Sequence, residues 1–274
     1  MRRKTKAGVA LLEMMLVAGL FVGPAIADAP GSAGTVTSAS TPATDTGPTT
    51  YAFDNHVRFI VGSKLSWDTG HWPPTHIAAW LGWTASDPDG ICYQRLYSEE
   101  YGSDYVQFNA EVPASARRAK FTAVTDNGED NGASSYVDYY VTDCAGNAMP
   151  PVDLDSFGLV PRQEDVLSYT GTWQTVHARR WSGGAGRTAR EAGATAAFRF
   201  AHSTGLVMPT GPSKGSFDLY VDNVFQRTVN LYRPTASVRH VVAQVDMGNA
   251  DGGHTAMLRT TSARPVTFDV ALLS

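Results

Sequence analysis

The chain has 274 residues, of which 43% are apolar and 18% charged, and a formal net charge of −4. Domains usually run to roughly 100–150 residues, so this length and apolar fraction fit two compact domains better than one large core. The acidic balance argues against a nucleic-acid partner, which would need a basic patch, and the absence of C-x-x-C and H-E-x-x-H spacings argues against redox and zinc chemistry.

Residues 1–27 open with four basic residues (Arg2, Arg3, Lys4, Lys6), continue as an apolar run from Gly8 to Gly23 and end on Ala25-Ile26-Ala27. A basic start, a short apolar core and a small-residue cleavage site make a secretory signal peptide, with cleavage after Ala27. Its removal takes away those four basic residues and Glu13, which moves the net charge from −4 to −7. Glu13 is costly inside an apolar export segment, and Gly8-Val9-Ala10-Leu11-Leu12-Glu13-Met14 resembles the type IV prepilin signature. That resemblance implies cleavage after Gly8 and a pilus-associated subunit. Pro24 and the Pro/Gly-rich residues that follow Asp28 favour the first reading, because they stop the long helix a pilin needs.

Residues 28–50 are almost wholly Ala, Gly, Ser, Thr, Pro and Asp. Such a segment buries too little apolar surface to offset its ordering entropy and is expected to be a disordered linker or stalk. From Tyr51 onward the pattern is short strands between turn clusters, with no sustained helical period. Phe217, Leu219 and Val221 share one face, as do Ala196, Phe198 and Phe200, and Val266, Phe268 and Val270. Asp222-Asn223 lies between two such runs as a hairpin turn, since both residue types tolerate positive φ. The expected fold class is all-β and sandwich-like.

Cys92 and Cys144 both lie near turns of one predicted domain. In an exported protein an even cysteine count predicts that they are joined, which closes a loop of about fifty residues and stabilises the fold by roughly 4 kcal/mol.

The stretch Ala79-Trp80-Leu81-Gly82-Trp83-Thr84-Ala85-Ser86-Asp87, followed by Val137-Asp138-Tyr139-Tyr140-Val141-Thr142-Asp143-Cys144-Ala145-Gly146-Asn147, resembles bacterial immunoglobulin-like or fibronectin type III repeats over residues 51–152. The resemblance implies that Trp80 or Trp83 is core packing, that Asp143–Asn147 is a turn, and that this domain is a spacer. Further on, Tyr169-Thr170-Gly171-Thr172-Trp173, Ala192–Phe200, Met208–Gly215 and Leu219-Tyr220-Val221-Asp222-Asn223 together resemble galactose-binding-like jelly rolls over residues 153–274. These occur in carbohydrate-binding modules and in the tails of secreted actinobacterial proteins. Here Asp-Asn stands where the hairpin usually has Asp-Gly, and the fold alone does not fix a ligand.

Several patterns could carry chemistry. Gly211-Pro212-Ser213-Lys214-Gly215 reads G-x-S-x-G, with Asp246, Asp251 and His254 downstream. A nucleophile elbow requires a strand before the serine and a helix after it, whereas Pro212 precedes this serine and a strand pattern follows Gly215. The loop Asp126–Gly132 is rich in oxygen ligands but lacks the alternation and distal Glu of an EF-hand, and Asp87-Pro88-Asp89-Gly90 reads as a turn. The seven histidines are scattered singly. The best candidate site is the loop from Trp173 to Arg190, where Trp173 and Trp181 stand among His177, Arg179, Arg180, Arg187 and Arg190. Aromatic faces stack on sugar rings while guanidinium groups bond hydroxyls. Trp173 is expected in the core, Trp181 is expected exposed beside its glycines, and Tyr232, followed by Arg233-Pro234, is a second aromatic that a loop could present.

The leading expectation is a secreted or cell-surface, non-catalytic binding protein, its jelly roll holding a glycan or polysaccharide through Trp181, Arg179, Arg190, Trp173 and Tyr232. The alternatives are a secreted hydrolase with an unrecognised constellation and a structural or pilus-like subunit. A cell-surface protein is a second partner option, the membrane is met only through the leader, and no cofactor is expected, calcium having no supporting ligand pattern.

Overall fold

The computed structural model describes residues 50–54, 56–66, 76–100, 106–124, 133–149, 152–249 and 252–274. The leader, the linker up to residue 49, the loop Asp126–Gly132 and Asp251 lie outside them. The described chain is all-β, built from antiparallel sheets.

Its first half contains β1 (Thr50–Phe53), β2 (Arg58–Phe59), β3 (His76–Ser86), β4 (Ile91–Glu100), β5 (Val106–Val112), β6 (Arg118–Val124), β7 (Ala133–Asp143) and β8 (Val152–Gln163). β1, β2 and β6 all pair with β3, while β8, β7, β4 and β5 run side by side in a second sheet. β3 alternates with period two: Ile77, Ala79, Leu81, Trp83 and Ala85 are buried on one face. Their core includes Phe121 of β6 and Leu96, Val137, Tyr139 and Val141 of the opposing sheet. Trp83 is therefore the core tryptophan. Trp80, one face over, carries the Arg118 guanidinium 4.9 Å from its ring centre. Gly82 admits no side chain, because a Cβ there would stand 2.2 Å from an Asp54 carboxylate oxygen.

One polar residue enters this core. The Gln94 carbonyl accepts the Trp83 indole N–H at 3.1 Å and the Tyr139 hydroxyl, and its amide donates to Pro113 O at 2.8 Å and Ala114 O at 2.7 Å. A buried amide satisfied this way costs little, whereas an unpaired one would cost about 1–3 kcal/mol. At the end of β7 the Asp143 carboxylate accepts the Asn147 backbone and side-chain N–H groups, both at 2.8 Å, which closes the expected turn. Cys144 in that turn is disulfide-bonded to Cys92 of β4.

The second half adds β9 (Ser168–Thr170), β10 (Trp173–His177), β11 (Ala185–Ala189), β12 (Thr195–Phe200), β13 (Ser203–Thr210), β14 (Ser216–Val221), β15 (Val224–Asn230), β16 (Ser237–Asp246), β17 (His254–Thr260), β18 (Val266–Phe268) and β19 (Val270–Leu273). The sheet β15-β14-β17-β12-β9 buries Phe217, Leu219, Val221, Ala196, Phe198 and Phe200 as their alternation predicts. They pack with Leu206 and Met208 of β13 and with Phe268. Asp222 and Asn223 adopt φ of 50° and 66° in the hairpin between β14 and β15. The alternation expected through Val266, Phe268 and Val270 is interrupted. Asp269 separates β18, which pairs with β11, from β19, which pairs with β13 and β8, and Val270 packs in the other core from Val266 and Phe268.

The two halves are joined by a strand. Residues Val152 to Leu159 of β8 pair with β7, and Val160 to Gln163 pair with β19. Residues 152 and 153, between which the division is expected, are both in β8. The result is one seven-stranded sheet, β16-β13-β19-β8-β7-β4-β5. β13 is buried along its whole length, and its side chains serve two cores, Val207 in the first and Leu206 and Met208 in the second. Sheets covered on both faces read as continuous apolar runs, here Leu206-Val207-Met208 and Val270-Ala271-Leu272.

The segment after β1 clamps the junction. His56 Nε2 meets Asp246 Oδ1 at 2.9 Å, and the Arg58 guanidinium forms an ion pair with the same carboxylate, its Nε 2.5 Å from Oδ2. Val57 N donates to Ser274 Oγ at 2.9 Å, while Gly62 N donates to Val241 O at 2.8 Å and Leu65 N to Arg239 O at 2.7 Å. Phe59 packs against Gly205 of β13, where an added Cβ would stand 2.7 Å from its ring.

Two stability predictions follow from this packing. Gly205→Ala overfills the junction and should cost about 1–3 kcal/mol in denaturant unfolding. Replacing Cys92 and Cys144 together by Ser should cost roughly 4 kcal/mol in the chain-entropy model, measured against the oxidised parent.

Candidate functional site

The Trp173–Arg190 loop does not present its tryptophans as expected. Trp181 is only 6% exposed, a correction with a clear cause. Gly183 and Gly184 take φ of 66° and 73° and turn the chain back on itself. Gly186 then leaves the space the indole fills, since a Cβ there would stand 3.0 Å from it. The glycines that seemed to free this loop instead fold its tryptophan inward, which removes Trp181 as a surface platform. Trp173 is half-buried at the edge of the second core, its ring 5.0 Å from that of Tyr169 and its indole N–H bonded to Thr170 O at 3.0 Å. Arg179 is exposed. Arg190 is exposed too, and with Thr172, Gln174, Thr188 and Glu191 it lines a pocket of about 170 Å³.

Tyr232 is 45% exposed, as expected of a presented aromatic. It lines a cleft of about 490 Å³ together with Lys214, Ser216, Asn230, Ser262 and Arg264. The walls of this cleft are three turns held by backbone bonds. Gly215 N donates to Pro265 O at 3.0 Å, Leu231 N to Gly215 O at 3.0 Å, and Gly211 N to Leu231 O at 3.0 Å. A Cβ at Gly215 would stand 2.6 Å from Arg264 O, so only glycine allows the first and third turns to approach this closely. Asn230 Oδ1 accepts the Tyr232 N–H at 2.9 Å and fixes the base of the aromatic.

Lys214 connects this cleft to the Arg190 pocket. Its ammonium donates to Thr267 Oγ1 at 2.9 Å, and the Thr267 hydroxyl is 2.9 Å from that of Thr188, which lines the pocket. Burial, and then the positive charges of Arg190 and Arg180, hold the Lys214 pKa below the usual lysine range. Sequence reasoning passed over Lys214, Asn230, Ser216, Ser262 and Arg264. The one signal was the glycine-flanked Pro-Ser-Lys loop, which drew attention to Ser213 and away from its neighbour.

That G-x-S-x-G motif lies on a turn. A strand, β14, begins directly after Gly215. His254 lies at the far end of the β14–β17 ladder, in which Phe217 faces Thr260 and Val221 faces Ala256, so Ser213 and His254 are separated by roughly 15 Å or more. The partner of His254 is Asp222, at 2.7 Å, a bond that holds the Asp222 carboxyl below its usual range. Asp87, Asp89 and Asp143 bring carboxylate oxygens within 4.8 Å of one another. Asp87 accepts the Asp89 N–H at 2.8 Å and Asp143 accepts from Asn147, so these groups close turns around the disulfide. Among the described residues no helix is long and apolar enough to cross a membrane.

Asp269 is fully buried between β18 and β19. One oxygen accepts the Ser182 N–H at 2.9 Å, while Oδ2 has no protein partner. Burial pushes its pKa up to about 8; the Ser182 bond opposes the shift, Glu164 adds to it and Arg239 opposes it.

No protein-family model matches the chain, and no curated protein matches it. Among solved structures it is similar to a CBM35 domain of Abf62 from Cellvibrio japonicus, at 16% identity over 43% of this chain and 94% of that one, with a TM-score of 0.32. It is also similar to the CBM36-1 domain of a multidomain xylanase from the hindgut metagenome of Trinervitermes trinervoides, at 12% identity over 43% and 97%, with a TM-score of 0.32. An exo-β-1,3-galactanase from Phanerochaete chrysosporium overlaps 82% of this chain and 93% of its own, at 9% identity and a TM-score of 0.34. None of the three is close enough to bear on what this chain binds.

The buried carboxyl has a pH signature. The folded state keeps the Asp269 proton up to about pH 8, whereas the unfolded chain releases it near pH 4. Between those values the unfolded state binds fewer protons, so this group's contribution to stability falls as pH rises. Asp269→Asn keeps an acceptor for Ser182 and removes the titration. Its melting temperature should fall less than that of the parent between about pH 4 and about pH 8.

Proposed function

We propose that the chain is an exported, non-catalytic binding protein whose second half holds a glycan in the cleft beside Tyr232. The single observation that carries this reading is an exposed aromatic face set among a hydroxyl-, amide- and cation-lined cleft. A pyranose offers an apolar face for the ring and equatorial hydroxyls for Asn230, Ser216, Ser262, Lys214 and Arg264. The cleft rests on backbone bonds between turns, so little is lost in ordering it on binding. Arg190 belongs to the adjoining pocket, where a longer chain would extend.

The first half serves as the spacer. Its strands divide as β1, β2, β3 and β6 against β4, β5, β7 and β8, the kind of partition found in immunoglobulin-like domains, which supports the fibronectin-type reading. Residues 1–27 then act as the export leader and 28–50, up to the start of β1, as the stalk, a placement outside the cell that suits the Cys92–Cys144 disulfide.

The test is affinity electrophoresis or column retention of the full chain on a panel of polysaccharides, beside Tyr232→Ala. Loss of the exposed ring should weaken binding by about tenfold, a stacking contribution of roughly 1.4 kcal/mol, with an unchanged melting temperature. Retention unaffected by the substitution would move the site elsewhere.

A further inference from the structure

The cleft is unusually cationic for a chain of net negative charge. Lys214 and Arg264 line it. Arg190 stands in the adjoining pocket, across the Thr188 and Thr267 hydroxyls, and Arg180 lies near enough to repel Lys214. Among the described residues, no carboxylate stands within ion-pair distance of Lys214, Arg264, Arg190 or Arg180, the ion pairs of the fold being made instead by Arg58, His56 and His254. The one carboxylate lining the adjoining pocket, Glu191, makes no ion pair with these cations; it accepts the Thr172 N–H at 2.5 Å.

Like charges gathered without a counter-charge destabilise a fold unless something outside the chain neutralises them. Here the half-buried Lys214 is the sharpest case. Its ammonium is held by a neutral hydroxyl donor-acceptor chain, Thr267 to Thr188, which fixes its position and leaves its charge unmatched. We infer that the ligand of this cleft is an anionic polysaccharide, with a carboxylate or sulfate group paired by Lys214 and Arg264 while the sugar ring lies against Tyr232. The inference rests on the glycan-binding reading and narrows it to acidic chains. Arg190, on the far side of the threonine pair, is placed to meet the charge of a neighbouring sugar, so more than one charged residue of the chain is engaged. A nucleic acid would bring a similar charge, but one exposed aromatic and a lining of hydroxyls and an amide suit a sugar better than stacked bases.

The experiment is retention of the full chain on immobilised polygalacturonate, fully methyl-esterified polygalacturonate, dextran sulfate, unmodified dextran, polyglutamate and double-stranded DNA. The expected result is binding to polygalacturonate or dextran sulfate that weakens at least tenfold on the matching uncharged chain, and weakens with added salt. Polygalacturonate alone would identify a carboxylate, dextran sulfate alone a sulfate. Arg264→Gln, on an exposed residue, should weaken binding to the acidic chain by roughly tenfold and leave the melting temperature unchanged. Lys214→Gln should do the same; if it also lowers the melting temperature, Arg264→Gln decides. Equal, Tyr232-dependent binding to the charged and uncharged members of a pair would overturn the acidic assignment and leave the glycan reading standing. Binding to polyglutamate or DNA as tight as to the acidic glycans would overturn it as well, by showing a patch that takes any polyanion. No retention on any polysaccharide would overturn both readings together.

Discussion

The structure depends on two strands of the seven-stranded sheet, β13 and β19, that are buried on both faces. β8 starts as an edge of the first sandwich and ends inside the second, and β13 and β19 send alternate side chains into two different cores. A strand in that position cannot carry an exposed polar side, which is why Leu206-Val207-Met208 and Val270-Ala271-Leu272 are apolar without a break. The segment from His56 to Leu65 completes the arrangement from the first half. Its backbone bonds to β16, its Phe59 lies on Gly205, and Asp246 draws in both His56 and Arg58. Most of these contacts are specific to backbone geometry or to a missing Cβ, and such contacts tolerate few substitutions.

The Tyr232 cleft is a product of the same economy of backbone. Strands contribute only their end residues to it, Ser216 of β14 and Asn230 of β15. Three turns at the rim of the second sandwich are stitched by main-chain bonds through Gly211, Gly215 and Leu231, and the polar side chains stand on that stitching. Loops carry binding groups well when the scaffold under them is rigid. The cationic character of the rim belongs to the same turns, with Lys214 anchored on Thr267 of β18 and Arg264 on the turn that precedes it.

Period-two alternation placed Phe217, Leu219 and Val221, as well as Ala196, Phe198 and Phe200, on their buried faces, because each of these strands has one wet side and one dry side. The Asp222-Asn223 hairpin and the Cys92–Cys144 bond were equally legible, since local chemistry decides the first and cysteine count the second. Alternation said nothing about β13 and β19, which have no wet side. The run through Val266, Phe268 and Val270 misled for a related reason, in that a buried aspartate stands where one strand ends and another sheet begins. At the site, glycine was read as freedom. Around Trp181 it acts as space, and the indole occupies it. Tyr232 was visible as an aromatic before Arg233-Pro234, but its cleft-mates come from turns far apart in sequence, which only the folded chain brings together.

The continuous strand β8 also limits how such a chain can be cut and recombined. Gene segments are exchanged most freely where a linker separates two self-sufficient cores. A cut at residue 152 here would strip Val207, Val241, Val270 and Leu272 of the apolar surface that covers them, since all four pack in the first core while lying in the second half. A donor of the second half would have to bring a matching cover with it. The two halves are therefore expected to be inherited as a pair, joined by a strand that neither half owns alone.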